Sequence, residues 1–368
     1  MIMALLVLSV IVLFHEFGHF LLARINGIAV VEFSQGFGPR ILSWESKKSG
    51  TRYSWKIIPF GGSCAMYGEF EDEDAQTQEE KAFKEKFGDG RHGESFFKKS
   101  PLARMSVIAA GPIFNFILAF IFAIFVLAWA GYDAPVVAGV TEGQAAEAAG
   151  IEAGDVITKI GKRKIVLMRE ILLSMINNGN KDVAVQFERL NEETGVWEAH
   201  EVMLDSDLFG YQDGRYQMGI KLGGNRTGAE SLPKLIRCAG AEVRYNILAV
   251  IESLKMMAAG QVSGDDIAGP IRIVTIIDDT VEQAAPAGAV AVMMNVFNLI
   301  VSFSANLGVM NLIPFPALDG GRIVFLLWEF LTGRPVNQKV ETAVNFTGMA
   351  LLMVFMVLVV FNDLRILF

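Results

Sequence analysis

A multi-pass α-helical membrane protein with an inserted soluble α/β domain is the fold class this sequence predicts, and three observations predict it. Across 368 residues, 52% are hydrophobic and only 20% charged, with a mean hydropathy of +0.40. Four runs, at about 2–23, 105–131, 289–313 and 341–361, are long and apolar enough to cross a hydrocarbon core of about 30 Å. Between the second and third runs, residues 134–222 switch to short alternating strands and polar turns. A net charge of −8, with no basic stretch interleaved with aromatics, excludes a nucleic-acid partner. Cys64 and Cys238 stand alone without CxxC spacing, which excludes a disulfide framework or a cysteine zinc site.

The first run, MIMALLVLSVIVLF, has neither a basic start nor a small-x-small cleavage site after it, and reads as a retained transmembrane helix. Lys and Arg gather beside one end of each span: Arg24, then Lys98, Lys99 and Arg104, then Arg322, Arg334 and Lys339. The opposite ends carry almost none. The positive-inside rule therefore puts residues 24–104 in the cytosol, and both termini and residues 132–288 outside.

Within the first block (residues 1–131), VEFSQGFGPRILSWESKKSGTRYSWKIIPFGGSCAMYGEF has strand character, with Tyr53, Trp55 and Ile57 alternating between Gly and Pro punctuation. It predicts a β-hairpin at about 30–70 that dips into the membrane region, where irregular backbone survives only if shielded from lipid. Residues of about 69–100 are charged, mixed in sign and read as a solvated cytosolic insert. The 134–222 stretch resembles a PDZ domain, most of all in the G-I-x-x-G-D-V-I run at 150–157. Such domains take an extended peptide onto a sheet edge. A connector of 230–288 follows; its residues 232–258 form an amphipathic helix, lying on the membrane surface or packed on the soluble domain. Residues 289–368 hold the last two spans.

Inside the first span stands His15-Glu16-Phe17-Gly18-His19. Ionisable groups at membrane depth are costly and mark function. At i and i+4 the two imidazoles share a helix face and suit one zinc ion, with Glu16 beside them to reach the attacking water. A hydrogen-bonding histidine pair is the plainer reading, but it needs no intervening glutamate. A catalytic zinc wants a third protein ligand. His92 and His200 lie in the charged insert and an outer strand. Asp319, in NLIPFPALDGGRIVFLLWEF, sits in apolar sequence at the same inferred depth. It reads as the third ligand or, alternatively, as a cap for a helix beginning at Gly320. Gly320 and Gly321 would let another backbone approach.

HEFGH, GPIFNF and NLIPFPALDGG, in that order and with the inserted domain between the second and third, resemble the signatures of the site-2 protease family of intramembrane zinc metalloproteases, peptidase family M50. With FNDLRIL at the end, the likeness is to its RseP/RasP type in a single-PDZ form. The resemblance implies one catalytic Zn²⁺ held by His15, His19 and Asp319, and Glu16 as general base. It places Asn115 and Asn311 near the site, where they would orient substrate or steady the oxyanion. It implies a bacterial cell membrane location with the site toward the cytosol. The substrates would be single-pass transmembrane proteins, such as anti-sigma factors or remnant signal peptides, trimmed first by an upstream site-1 protease. The PDZ domain would touch the substrate or its trimmed end, or act as a size filter. A substrate helix has no free backbone groups, so the hairpin, at Trp55 and Ile57, is expected to hold it extended by strand pairing. A non-catalytic scaffold would not require Glu16. A metal transporter would string polar residues through several spans, and spans two and four offer almost none.

Overall fold

The computed structural model describes residues 2–69, 78–87, 92–212, 215–223, 226–261 and 268–367. The chain forms two compact units: Met1–Phe122 with Val250–Phe368, and Ala123–Ala249. Among the described residues, four helices are long and apolar enough to cross a membrane, Ile2–Ile25, Pro101–Ala130, Ala289–Leu312 and Lys339–Ile366.

In the first unit, α1 (Ile2–Ile25) closes with Arg24 in its last turn, where a cation complements the helix dipole. Strands β1 (Val30–Glu45) and β2 (Arg52–Met66) follow. The hairpin is not a simple two-stranded ribbon. Residues 40–45 pair with 52–56, residues 30–35 pair with 62–66, and Glu32–Gln35 also run beside Arg52–Trp55. Each strand is therefore bent into two segments, in the lateral order 62–66, 30–35, 52–55, 40–45. Positive φ at Gly36 (89°) and Gly61 (79°) makes the bends. Glu32 ties three segments together: it accepts from Arg40 at 2.7 and 3.1 Å and from Ser54 at 2.5 Å. The outer segments, 62–66 and 40–45, are the edges.

Much of the acidic stretch, residues 70–77 and 88–91, lies outside the described residues. Its described helix, α2 (Gln78–Phe87), is packed rather than solvated. Phe83 is buried against Ala29, Val31, Ala65, Tyr67 and Phe87, and buried Glu80 accepts from the Gly68 amide at 2.9 Å. Helix α3 (Pro101–Ala130) starts with Pro at its first position, and Ser100 Oγ accepts from the Ala103 amide at 3.3 Å.

The second unit is a small α/β body. It holds β3 (Tyr132–Asp133), β4 (Val137–Val140), α4 (Ala145–Ala148), β5 (Val156–Ile160), β6 (Arg163–Lys164), α5 (Arg169–Asn178), β7 (Val183–Leu190) and β8 (Trp197–Leu204). The antiparallel sheet runs β6-β5-β7-β8, and alternation along β7 sends Val183, Val185 and Phe187 into the core with Ile157, Ile160 and Leu204. Fully buried Asp155 is paired by Arg189 at 2.7 and 2.8 Å. Helix α6 (Leu232–Ala258) has the predicted amphipathic pattern. Of the two readings of this helix, packing holds: Arg169 donates to Glu242 at 2.9 Å and Arg244 to Glu170 at 2.5 Å.

The first unit resumes with α7 (Pro270–Ala284), α8 (Ala289–Leu312), α9 (Asp319–Thr332) and α10 (Gln338–Leu367). Gly269 cannot cap α7 with a side chain. Asp363, near the end of α10 and fully buried, does so instead, accepting from the amides of Gly269, Ile271 and Arg272 at 3.0–3.1 Å. A core of Ala4, Val7, Ile11, Leu118, Ile277, Val296 and Ile300 joins α1, α3, α7 and α8. Helix α10 leaves Met353, Val354, Val357, Leu358 and Phe361 exposed, as a lipid-facing span does.

Candidate metal centre

His15 and His19 lie on one buried face of α1, their ring centroids 4.8 Å apart and nearly perpendicular. The wall opposite is α3. A Cβ on Gly111 would stand 2.4 Å from His19 Nε2 and 2.7 Å from His15 Cε1, so glycine is what lets α3 come down over the two rings. His19 Nδ1 donates to the Val107 carbonyl at 2.9 Å; a carbonyl only accepts, so Nε2 keeps the lone pair.

The third group arrives from the α8–α9 junction. Ala317, at φ 74° the one described non-glycine residue with positive φ, turns the chain just before α9. Gly320 and Gly321 hold the turn close, as expected of them: a Cβ on either would meet the Ile313 or Phe315 carbonyl at 2.2 or 2.4 Å. Asp319 is the first residue of α9, and the preceding Leu318 makes no side-chain cap. The Asp319 carboxylate instead points at the histidines, with Oδ2 3.3 Å from His15 Nε2 and 3.4 Å from His19 Nε2. Arg322, one turn on, donates to Glu69 at 2.7 Å and so ties α9 to the loop after the 62–66 segment.

The three atoms form a triangle with sides of 3.2, 3.3 and 3.4 Å. Asp319 Oδ2 is buried and accepts no hydrogen bond there. Lone-pair atoms crowded this closely repel one another unless a cation lies among them. Donors bound to zinc at about 2.0–2.1 Å with tetrahedral angles stand about 3.3 Å apart. The donor set thus fits one face of a zinc tetrahedron and leaves the fourth vertex open. It is the one cluster of three or more potential ligands found among the described residues.

Glu16, one residue along α1, is flanked by the 62–66 edge: the Cys64 amide faces its carboxylate, and a Cβ on Gly62 would lie 3.0 Å from Glu16 Cγ. Asn115 Nδ2 lies 3.1 Å from His15 Nδ1, and Asn311 Nδ2 lies 3.5 Å from His15 Nε2. Both asparagines thus stand beside His15. Trp55 and Ile57 do not join this group. They are exposed, and Trp55 lies between Gln35 and Leu42, so its segment has no open edge for a substrate. The edge beside Glu16 is 62–66 instead. His92 has its ring against Phe87 and His200 stacks on Phe187 at 5.3 Å; neither is in the cluster. The Val107 carbonyl, Gly111 and the Cys64 amide are site components that sequence reasoning missed. Two act through backbone atoms and the third through an absent side chain. Only the four-residue offsets of Val107, Gly111 and Asn115 along α3 hint at a shared face.

The profile of peptidase family M50 matches residues 3–355. The Regulator of sigma-W protease RasP of Bacillus subtilis is 30% identical over 433 residues, covering 99% of this chain and 97% of its own. The Zinc metalloprotease RasP of Bacillus licheniformis is 29% identical, covering 99% and 98%. The Metalloprotease MmpA of Caulobacter vibrioides is 31% identical, covering 98% and 94%. Matched along nearly its whole length, and with four helices able to span a membrane, the chain belongs to peptidase family M50 as an integral-membrane zinc metalloendopeptidase of the site-2 protease type.

Proposed function

We propose that the chain hydrolyses peptide bonds within or near transmembrane segments, with zinc held by His15, His19 and Asp319 and with Glu16 as general base. The observation that carries this reading is the 3.2–3.4 Å triangle of lone-pair atoms with a carboxylate beside it. Zinc supplies Lewis-acid polarisation of the scissile carbonyl and acidifies the attacking water. Glu16 takes that water's proton and returns it to the leaving amine. The Glu16 side chain lies against the 62–66 segment, where a Cβ on Gly62 would stand 3.0 Å from its Cγ. The amide of Asn311, 3.5 Å from His15 Nε2, can donate to the developing oxyanion.

The substrate lies extended along the 62–66 edge. Peptide groups alternate sides along a strand. The Cys64 amide faces Glu16, whereas Tyr67 donates inward to the Ala29 carbonyl at 2.8 Å. The amide of Gly62, two residues before Cys64, therefore faces the same way, away from residues 30–35 and toward an incoming chain. N-methylation of a peptide substrate should then hurt with a period of two. Each outward-paired N–H lost costs about 0.5–1.5 kcal/mol, or roughly 2–12-fold in kcat/KM, while methylation of the residues between is tolerated. Equal effects in both phases would refute strand pairing.

The B. subtilis relative is named for the regulation of sigma-W. By that likeness, single-pass anti-sigma factors are the proposed substrates, with remnant signal peptides as a second class, after trimming by a site-1 protease. Residues 134–222 are read as the PDZ domain that meets the substrate or its trimmed end, a reading supported by the succession of β4, α4, β5, α5 and β7. The distribution of Lys and Arg supports extracytoplasmic termini and a site toward the cytosol. Purified chain in detergent should cleave a tagged transmembrane peptide, lose that activity to a chelator and regain it with zinc. Asp319→Ala should not regain it at the same zinc concentration. Cleavage that ignores the chelator would overturn the assignment.

A further inference from the structure

The two histidines differ in what holds their second ring nitrogen. For His19 it is the Val107 carbonyl, which fixes the proton on Nδ1. For His15 the neighbour is Asn115, with the amide nitrogen 3.1 Å from Nδ1. An NH₂ group can only donate, so this orientation demands a lone pair on His15 Nδ1 and a proton on Nε2. Yet Nε2 is the atom that faces His19 Nε2 at 3.2 Å and Asp319 Oδ2 at 3.3 Å. A protonated Nε2 cannot bind a metal. Asn115 Oδ1, meanwhile, is buried without a partner, and the residue is 0% exposed. The oxygen and nitrogen of an amide are distinguished only by their hydrogen-bond network. Exchanging them gives Oδ1 a donor in His15 Nδ1–H and returns the lone pair to Nε2.

We propose that Asn115 is a positioning residue for the metal: its Oδ1 accepts from His15 Nδ1–H and fixes the tautomer that presents Nε2 to zinc. It does for His15 what the Val107 carbonyl does for His19. The assignment rests on His15 being a ligand, and it removes Asn115 from the substrate or oxyanion role. The residue is well held for this work. Ser304 Oγ donates to its backbone carbonyl at 2.8 Å, locking α3 to α8 at that level. Asn115 also stands one turn beyond Gly111, on the face of α3 that covers the rings.

The test is zinc affinity of the purified full chain in detergent, by competition with a chromophoric chelator, alongside kcat/KM on a transmembrane peptide. Asn115→Leu removes the acceptor and should weaken zinc by about 10–100-fold, the usual cost of losing a histidine's supporting partner. Saturating zinc should restore much of its cleavage. Asn115→Asp keeps an acceptor and should bind zinc close to the parent's affinity. The proposal is overturned if Asn115→Leu holds zinc as the parent does while kcat falls, which is the signature of a substrate or oxyanion contact. It is also overturned if Asn115→Asp loses as much affinity as Asn115→Leu, which means packing alone. His15→Ala separates the two levels: parent-like zinc affinity there removes His15 from the ligand set, and the proposal with it.

Discussion

Glu16→Gln is expected to slow cleavage of a tagged transmembrane peptide by about two to four orders of magnitude, the range for loss of a general acid–base, with one zinc still bound per chain. Glutamine keeps the shape of the side chain that packs beside Gly62 on the 62–66 edge. It cannot take the proton from water. Glu16 contributes none of the three clustered donor atoms, so metal affinity should be unchanged, which distinguishes this variant from any change in His15, His19 or Asp319. Metal analysis and single-turnover cleavage on the same preparation read both quantities. Undiminished, chelator-insensitive cleavage by Glu16→Gln would remove both the residue and the metal from the chemistry.

Some parts of this molecule are legible in sequence because their physics is local. Two histidines four apart on a helix must share a face, whatever surrounds them. Span boundaries follow from runs of apolar residues whose lengths match a bilayer. Asp319 was legible for a different reason: a carboxylate in apolar sequence demands a partner, and sidedness brought it to the depth of the histidines. Other features depend on partners that no local pattern announces. The alternation of Tyr53, Trp55 and Ile57 gives a strand correctly, but whether that strand has a free edge depends on the bends at Gly36 and Gly61 and on the double pairing of Glu32–Gln35. Charge concealed the packing of α2. Phe83 and Phe87, one turn apart in a run of Glu and Lys, form the apolar face that docks on the hairpin. The Val107 carbonyl left no signal, because every residue has one.

Gly111→Ala is expected to be as damaging as removal of a ligand, although it adds one methyl group to a helix where alanine is the best helix former. The added Cβ would lie 2.4 and 2.6 Å from His19 Nε2 and Cε1, and 2.7 Å from His15 Cε1. These are stiff ring atoms, not the ends of flexible chains. Relief has to come from rotating an imidazole or from pushing α3 off α1. Rotating His19 breaks its bond to Val107. Moving α3 carries away the Val107 carbonyl and Asn115 together, the neighbours of both Nδ1 atoms. Either way the Nε2 atoms no longer meet Asp319 at tetrahedral spacing. Loss of one partner of a ligating histidine costs about 10–100-fold in affinity, and this change disturbs two, so zinc should be lost at concentrations that saturate the parent, with cleavage lost alongside it. Gly240→Ala is the matched control. It too lies in a long helix, α6, but nothing stands within 4 Å of its added Cβ. There alanine should stabilise by about 0.4–1 kcal/mol through the unfolded state and leave metal content and turnover unchanged. If both glycines tolerate alanine equally, α3 does not cover the histidines as closely as the 2.4 Å approach requires. The tetrahedral fit of the three donors would then lose its support.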